Sequence, residues 1–466
     1  MIYFKLIHTM KGENMKKKHF SLSTTQIIML SFIGAIFAGS LILSLPISSS
    51  SGISVSYIDA LFTSTTATCV TGLVTLPTFS TWSIFGQAVI LLLIQIGGLG
   101  IITIMSGLMI ALNKKIGIGD RLLIQDAFNL NTLSGLVKFV KKVILGTFLI
   151  EGIGALCYMT VFIPQFGLKG IWYSVFNSIS AFCNAGIDII SADSLCNYAT
   201  NPVINIVTSL LIIIGGLGYI VWWDLIRVGR NAKQKKFKAL KSLTLQSKIV
   251  LATTLVLIFG GAVLFLIFEY NNPQTIKNLS LFDKIQVSFF QSVTTRTAGF
   301  ASVPQQNLTN PSSIVSLLLM FIGGSPVGTA GGIKTVTIVV IAASAFAAIR
   351  NKNEVSLFNR NIPKSAITKA VSVTSMSFII MFTSTVLLSA VTNASALDIA
   401  YETVSATATV GLTRNLTPTL DLWGKIIIIA TMYLGRVGPI SLAIAFNIKK
   451  ENKNIIKNPT EDICVG

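Results

Sequence analysis

The chain is 466 residues long, 52% hydrophobic and only 11% charged, with a formal net charge of +19. A soluble domain carries about 25% charged residues, so this composition excludes an ordinary soluble protein and leaves a polytopic membrane chain, counted in apolar spans of roughly 20 residues. The positive charge does not point to nucleic acid: the basic residues sit in short segments between apolar spans, and no DNA- or RNA-binding motif occurs.

The first segment, 1–20, is a basic tail with Lys5, Lys11 and Lys16 to Lys18. The apolar run after it is too long for a signal peptide and lacks a cleavage site, so it is expected to be retained as a first span. Met15 directly precedes the lysine run and is an alternative start of translation, a choice the sequence leaves open. His8 and His19 are the two histidines, and both lie in this tail, so an HExxH zinc site is impossible. Cys69, Cys157, Cys183, Cys196 and Cys464 have no metal-ligand spacing and are read as free thiols.

Eight apolar segments follow, at about 24–45, 84–111, 143–163, 203–226, 249–269, 312–348, 367–391 and 424–447. They group into four units, 21–112, 113–230, 231–350 and 351–450, with a C-terminal tail at 451–466. The connectors between units are basic, whereas those inside each unit are rich in Ser, Thr and Gly. Twenty-eight of the 36 Lys and Arg residues lie in the tails and the connectors between units. The within-unit connectors hold Lys169, Lys277, Lys284, Arg296 and Arg414. By the positive-inside rule both termini are cytoplasmic. Asp59, Asp188, Asp193, Glu269, Asp283, Asp398, Glu402 and Asp421 then fall at or near the outer face, where they are expected to concentrate cations.

The four within-unit connectors resemble one another. They contain Thr68-Cys69-Val70-Thr71-Gly72, Phe182-Cys183-Asn184-Ala185-Gly186, Thr295-Arg296-Thr297-Ala298-Gly299 and Thr407-Ala408-Thr409-Val410-Gly411. The glycines are spaced 114, 113 and 112 residues apart, and an aromatic stands ten residues before each: Phe62, Phe176, Phe289 and Tyr401. Self-similarity at a fixed long period marks a repeat architecture. Each unit reads as span, half-helix of roughly 10–12 residues, glycine turn, span; such a half-helix is too short to cross a bilayer and must dip in and return.

Four such turns around one axis give rings of backbone carbonyls able to replace a cation's hydration shell. Glycine, free of a Cβ, permits the positive φ that turns carbonyls inward, and the half-helix C-termini aim partial negative charge at the same axis. The expected ion-binding residues are Cys69, Val70, Thr71, Gly72, Cys183, Asn184, Ala185, Gly186, Thr297, Ala298, Gly299, Thr409, Val410 and Gly411. Thr409-Val410-Gly411 comes close to the core of K⁺-channel filters, and glycine at all four positions favours K⁺ over Na⁺. The competing structural reading, four close-packing glycines in outer loops, does not explain the half-helices.

The sixth segment is long and interrupted by Gly323-Gly324-Ser325-Pro326-Val327-Gly328-Thr329-Ala330-Gly331-Gly332-Ile333-Lys334. A continuous helix through these glycines and proline is improbable. The functional reading is a flexible loop that obstructs the path below the turns, with Gly324, Ser325, Pro326, Gly328, Thr329, Gly331, Gly332 and Lys334 as its candidate gate residues; the alternative is a kinked packing helix. Arg436 lies within the eighth segment, where a charge is costly and usually functional. Gly323 and Gly435 each follow their unit's turn glycine by 24 residues, so loop and Arg436 should sit at one depth and bond each other. The runs Gly97–Gly100 and Gly215–Gly218 mark that depth in the first two units and read as close helix packing. Lys334 is either a second gate charge or a side chain that snorkels to the surface.

With these motifs the chain resembles the Trk/Ktr/HKT superfamily of K⁺ transporters, most closely its Ktr-type bacterial membrane subunit. The resemblance covers about Ser21 to Lys450 and is carried by the four turns, Arg296-Thr-Ala-Gly-Phe300, the loop and Arg436. It implies an all-α membrane fold of eight transmembrane helices and four re-entrant half-helices, with pseudo-fourfold symmetry around a central pore. It further implies a homodimer in the bacterial plasma membrane, K⁺ uptake with Na⁺ coupling left open, no organic cofactor, an intramembrane gating loop, and a cytosolic nucleotide-binding ring of RCK type as partner. Ala408 departs from the glycine common in relatives. A secondary transporter of another monovalent cation or small solute is the alternative function, though such proteins usually carry two repeats. A membrane enzyme would need a nucleophile, base or metal set; only Glu151 and Asp224, near span ends, stand available.

Overall fold

The computed structural model describes residues 23–438 apart from 113, 115, 128–134, 236–240 and 353. The tails with Met15, His8, His19 and Cys464, part of the basic connectors and the end of the eighth segment lie outside the described residues.

The first span of each unit is a long apolar helix: Thr24–Leu43, Leu136–Phe166, Leu245–Glu269 and Lys364–Val391, preceded in unit two by the short helix Ile118–Ala127 and in unit four by the hairpin Ser356–Leu357 and Arg360–Asn361. Each of these spans is long and apolar enough to cross a bilayer. The half-helices follow at Tyr57–Cys69, Lys169–Cys183, Leu281–Thr294 and Ala396–Ala408, 13, 15, 14 and 13 residues long, slightly longer than the sequence spacing predicts. Three of the acids expected at or near the outer face also serve helix starts. Asp421 is the N-cap of the helix Leu422–Val437, and Asp283 and Asp398 receive bonds from the N-cap residues Ser280 and Ser395.

One polar device seats each half-helix on its first span. Ser64 donates to the Ile36 carbonyl at 2.7 Å, Ser178 to Glu151 at 2.6 Å and Ser292 to Ile258 at 2.7 Å. Gly39, Gly154 and Gly261, three residues past each acceptor, provide the close approach, since a Cβ there would collide with the same serine oxygens. In the fourth unit Thr403 pairs with Thr385 at 2.7 Å. Lipid offers no hydrophobic drive between helices, so small residues and interhelical hydrogen bonds do this work.

The third unit is one residue out of register. The serine stands eight residues before the turn glycine in units one and two but seven before it in unit three. The same slip moves the buried aromatic: Phe62, Phe176 and Tyr401, ten residues before their glycines, are fully buried, but in unit three it is Phe290 rather than Phe289. The stretch from the seating serine to the turn glycine is therefore one residue shorter in the third unit, while its half-helix ends earlier, at Thr294.

The second span is continuous in none of the first three units. In units one and two it is bent by 98° and 97°, at Gly100 between Ile84–Leu99 and Ile101–Ala111, and at Gly218 between Pro202–Leu217 and Tyr219–Arg230. Gly100, Gly218 and Gly438 share one conformation, with φ of 85°, 89° and 88° and ψ of 136°, 140° and 139°, a region only glycine enters without strain. The runs read as close packing thus also break the helix. The packing itself is present: Gly97, Gly215 and Gly435 lie against the carbonyls of Thr68, Phe182 and Thr407, each four residues before its own turn glycine. In unit three the helices Asn310–Phe321 and Thr335–Ile349 are separated by the glycine-rich loop. The fourth second span, Leu422–Val437, runs to the edge of the described residues.

Candidate functional site

The four turns are built alike. Two residues before each glycine, Val70, Asn184, Thr297 and Thr409 all adopt the left-handed conformation, with φ of 56°, 60°, 68° and 51°. Three of these cap the half-helix, and the next residue's N–H returns to a carbonyl five positions back: Thr71 to Thr66, Ala185 to Ser180 and Val410 to Ser405, each at 2.8 Å. This is the six-to-one bond of a Schellman ending. Asn is a common left-handed residue, but nothing in the sequence flags Val70, Thr297 and Thr409, because Val and Thr are β-branched and rarely left-handed.

The turn glycines have φ of 100°, 63°, 84° and 97° and meet each other. A Cβ on Gly72 would lie 2.5 Å from the Ala185 carbonyl oxygen, and one on Gly186 would lie 2.6 Å from that of Ala298. For Gly299 the nearest atom is the carbonyl oxygen of Val410, and for Gly411 that of Thr71. Each glycine thus faces the residue preceding the next unit's glycine, and the fourth closes on the first. A Cβ on Gly72 would also lie 3.2 Å from the Gly411 Cα and 3.3 Å from that of Gly186. The predicted turn residues are therefore brought together as one ring, buried throughout.

Of the residues three positions before the glycines, Cys183 and Arg296 turn their side chains elsewhere. The Cys183 thiol is 3.6 Å from Gln95 Oε1 and 3.9 Å from Glu151, behind the ring. Glu151, expected near a span end, is buried in the middle of its helix and receives a bond from Gln95 at 3.2 Å. Arg296 is buried and donates to the Gly323 carbonyl at 3.3 Å, where the loop begins. Cys69, Cys157, Cys183 and Cys196 are free thiols.

The loop lies across this assembly. Ser325 N–H donates to the Gly216 carbonyl at 2.9 Å and Thr329 N–H to Gly215 at 3.2 Å, while Val327 accepts from Tyr219 N–H at 2.9 Å. Gly331 N–H donates to Thr297 Oγ1 at 3.2 Å, and Gly331 packs against Thr409. Arg436 spans two units, with Nη1 2.8 Å from the Thr329 carbonyl and Nη2 2.5 Å from that of Gly97. Arg436 lies in the last turn of its helix, where a cation also complements the helix dipole. Lys334 turns back on the loop rather than outward, 2.6 Å from the Ala330 carbonyl and 3.3 Å from that of Gly331. Gly324, Pro326, Gly328 and Gly332 belong to the same loop, and a cavity of about 920 Å³ opens on the side away from the ring, lined by Gly100, Tyr219, Lys334, Val340, Lys369 and Arg436.

Above the ring, Asp188 caps its own turn by accepting from Ile190 and Ser191 N–H at 3.2 and 3.4 Å. Arg414 ties the outer loop of unit three to unit four, pairing with Asp398 at 2.6 Å and donating to Gln305 O at 3.1 Å and Ser313 Oγ at 2.7 Å. Lys425, which the sequence places inside an apolar segment, reaches Asp59 at 2.7 Å and joins the last unit to the first.

A family model described as TrkH, cation transport protein, matches residues 1–458. The chain is 39% identical over 451 residues to the potassium/sodium uptake protein NtpJ of Enterococcus hirae, covering 96% of this chain and 98% of that one. It is 40% identical over 442 residues to the Ktr system potassium uptake protein B of Bacillus subtilis, covering 95% and 96%. The fold is similar to the crystal structure of the potassium transporter TrkH from Vibrio parahaemolyticus, with a TM-score of 0.70, 16% identity and coverage of 92% and 86%.

Proposed function

The chain belongs to the TrkH family of cation transport proteins, and from that premise we propose that it takes up K⁺ through the four-turn ring and that the glycine-rich loop and Arg436 gate the path. The observation that carries this reading is the cyclic contact in which each glycine faces the carbonyl of the residue before the next glycine. That arrangement gathers main-chain carbonyls from four units around one axis, and such carbonyls can replace the hydration shell of a cation. Four glycines leave the ring free of side chains on its inner face, which suits the larger, weakly hydrated K⁺. Arg436 and Lys334 place positive charge on the loop beneath the ring, where it opposes passage of cations while the loop is in place.

The units run as 21–112, 113–230, 231–350 and 351–450. The chain is a multi-pass membrane protein with both termini on the cytoplasmic side of a bacterial plasma membrane, as the clustering of Lys and Arg between units supports. Relatives named for a Ktr system support a multi-subunit assembly, here a homodimer carrying a cytosolic nucleotide-binding ring. The relative named for potassium and sodium uptake supports a Na⁺-linked mode. The test is flux of K⁺ and of Na⁺ in liposomes holding the purified chain, each measured with and without the other cation opposite. The reading expects K⁺ flux that Na⁺ does not replace; equal movement of both cations, or of neither, overturns it.

A further inference from the structure

Thr329 belongs to the loop of the third unit, yet its bonds go to the second and fourth. Its hydroxyl is 3.0 Å from the Phe182 carbonyl and 3.2 Å from Asn184 Oδ1, its N–H donates to Gly215, and its carbonyl accepts from Arg436. All of Thr329 and Asn184 is buried. Phe182 O is one of the last carbonyls of its half-helix, which the helix itself leaves unsatisfied. Asn184 is the left-handed residue that aims the second turn, and its Nδ2 has no partner. One hydroxyl proton therefore serves two buried acceptors that nothing else in the second turn satisfies.

The next link runs into the ring. Ala185 follows Asn184, and its carbonyl is the atom against which Gly72 is packed. A shift of the Asn184 backbone moves that carbonyl and with it the contact between the first and second turns. The loop also touches the left-handed residues of the other two polar turns, bonding Thr297 through Gly331 N–H and packing on Thr409. Val70, the apolar member of the set, packs instead on Gly97.

We infer that Thr329 and Asn184 are positioning residues that key the loop to the second turn, so that release of the loop and loosening of cation preference occur together. The inference rests on reading the ring as the filter and the loop as its gate. When the loop withdraws, its hydroxyl leaves with it, and Phe182 O and Asn184 Oδ1 lose their donor. A buried acceptor left bare is costly, so the turn relaxes toward another partner. The ring that conducts most freely is then also the ring that discriminates least.

Three variants in liposomes test this, with K⁺ flux and the K⁺-over-Na⁺ flux ratio read on the same samples. Thr329→Val keeps the shape and removes the donor. It is expected to raise K⁺ flux about fivefold and to lower the ratio by a similar factor, the size of one buried hydrogen bond. Asn184→Gly keeps the left-handed backbone, removes the acceptor and is expected to move both readouts the same way, with no further change in the double variant. Thr329→Ser restores the donor and is expected to return both readouts toward wild type. Flux that rises in Thr329→Val at an unchanged ratio, or effects that multiply in the double variant, overturns the coupling. Loss of K⁺ preference in the unsubstituted chain would instead refute the filter reading beneath it.

Discussion

Gly411 faces the carbonyl of Thr71, so the last unit of the chain closes on the first and the four turns form a ring without a gap. The contact joins residues 340 positions apart in sequence, and it works because neither side presents a side chain there.

Gly411→Ser should weaken K⁺ preference. Its φ of 97° disfavours any side chain, and the added Cβ would strike the Thr71 carbonyl, one of the oxygens proposed to hold the ion. Backbone strain of this kind costs about 1–3 kcal/mol, so a roughly tenfold fall in K⁺-over-Na⁺ flux is expected. Competition of Na⁺ with K⁺ uptake in a transport-deficient strain measures it; an unchanged ratio would remove the case for carbonyl selection at this turn.

Arg436→Ala should raise flux by freeing the loop. The guanidinium bonds Thr329 and Gly97 at once, and each charged hydrogen bond contributes about 1.5–3 kcal/mol. A single ammonium lacks the two-pronged geometry, so Arg436→Lys should fall between Ala and wild type. Initial rates of K⁺ uptake give the order, and an unaltered rate in Arg436→Ala would argue against the loop as the barrier.

Asp59→Asn should destabilise the fold by about 1–3 kcal/mol, since it leaves the mostly buried Lys425 without its partner. Lys425→Met in the same chain should recover most of the loss, because the pair's worth lies mainly in not stranding a charge. Thermal unfolding in detergent provides the comparison, and additive losses in the double variant would contradict it.

Asp188 should make stability depend on pH. Burial raises its carboxyl to about 6, and the N–H groups of Ile190 and Ser191 and the Ser194 side chain only partly oppose that. A carboxyl raised above its unfolded value of about 4 favours the fold most at low pH and loses that contribution as pH climbs through 6. Asp188→Asn is therefore expected to be about 1–2 kcal/mol more stable than wild type at pH 7.5 and nearly equal to it at pH 4. Melting curves from pH 4 to 8 at low K⁺ test the sign; a variant less stable at pH 7.5 would refute it.

The repeat was legible because its markers are covalent: a glycine every 112–114 residues, an aromatic before it, and connectors that alternate between rich and poor in Lys and Arg. Gly97, Gly215 and Gly435 make one shared close approach, which leaves a glycine in the sequence, whereas Gly323, expected to match Gly435, packs on Gly331 and Gly332 of its own loop. The breaks at Gly100 and Gly218 were not legible, because a glycine that permits close packing and a glycine that permits φ near 85° look the same as letters. The slip in the third unit was hidden by adjacent phenylalanines, 289 and 290, either of which satisfies an aromatic pattern. Lys425 with Asp59 and Cys183 with Glu151 are contacts between distant segments, for which a single sequence carries no signal.

Among the described residues the loop belongs to the third unit alone, and it reaches across to the second, third and fourth turns. A pore assembled from four identical subunits could not be built this way. Any insertion in one copy would appear in all, and four loops would compete for one axis. Joining the copies in a single chain lets each quarter drift separately, so that one supplies the loop, another its seat and a third the arginine bonded to it.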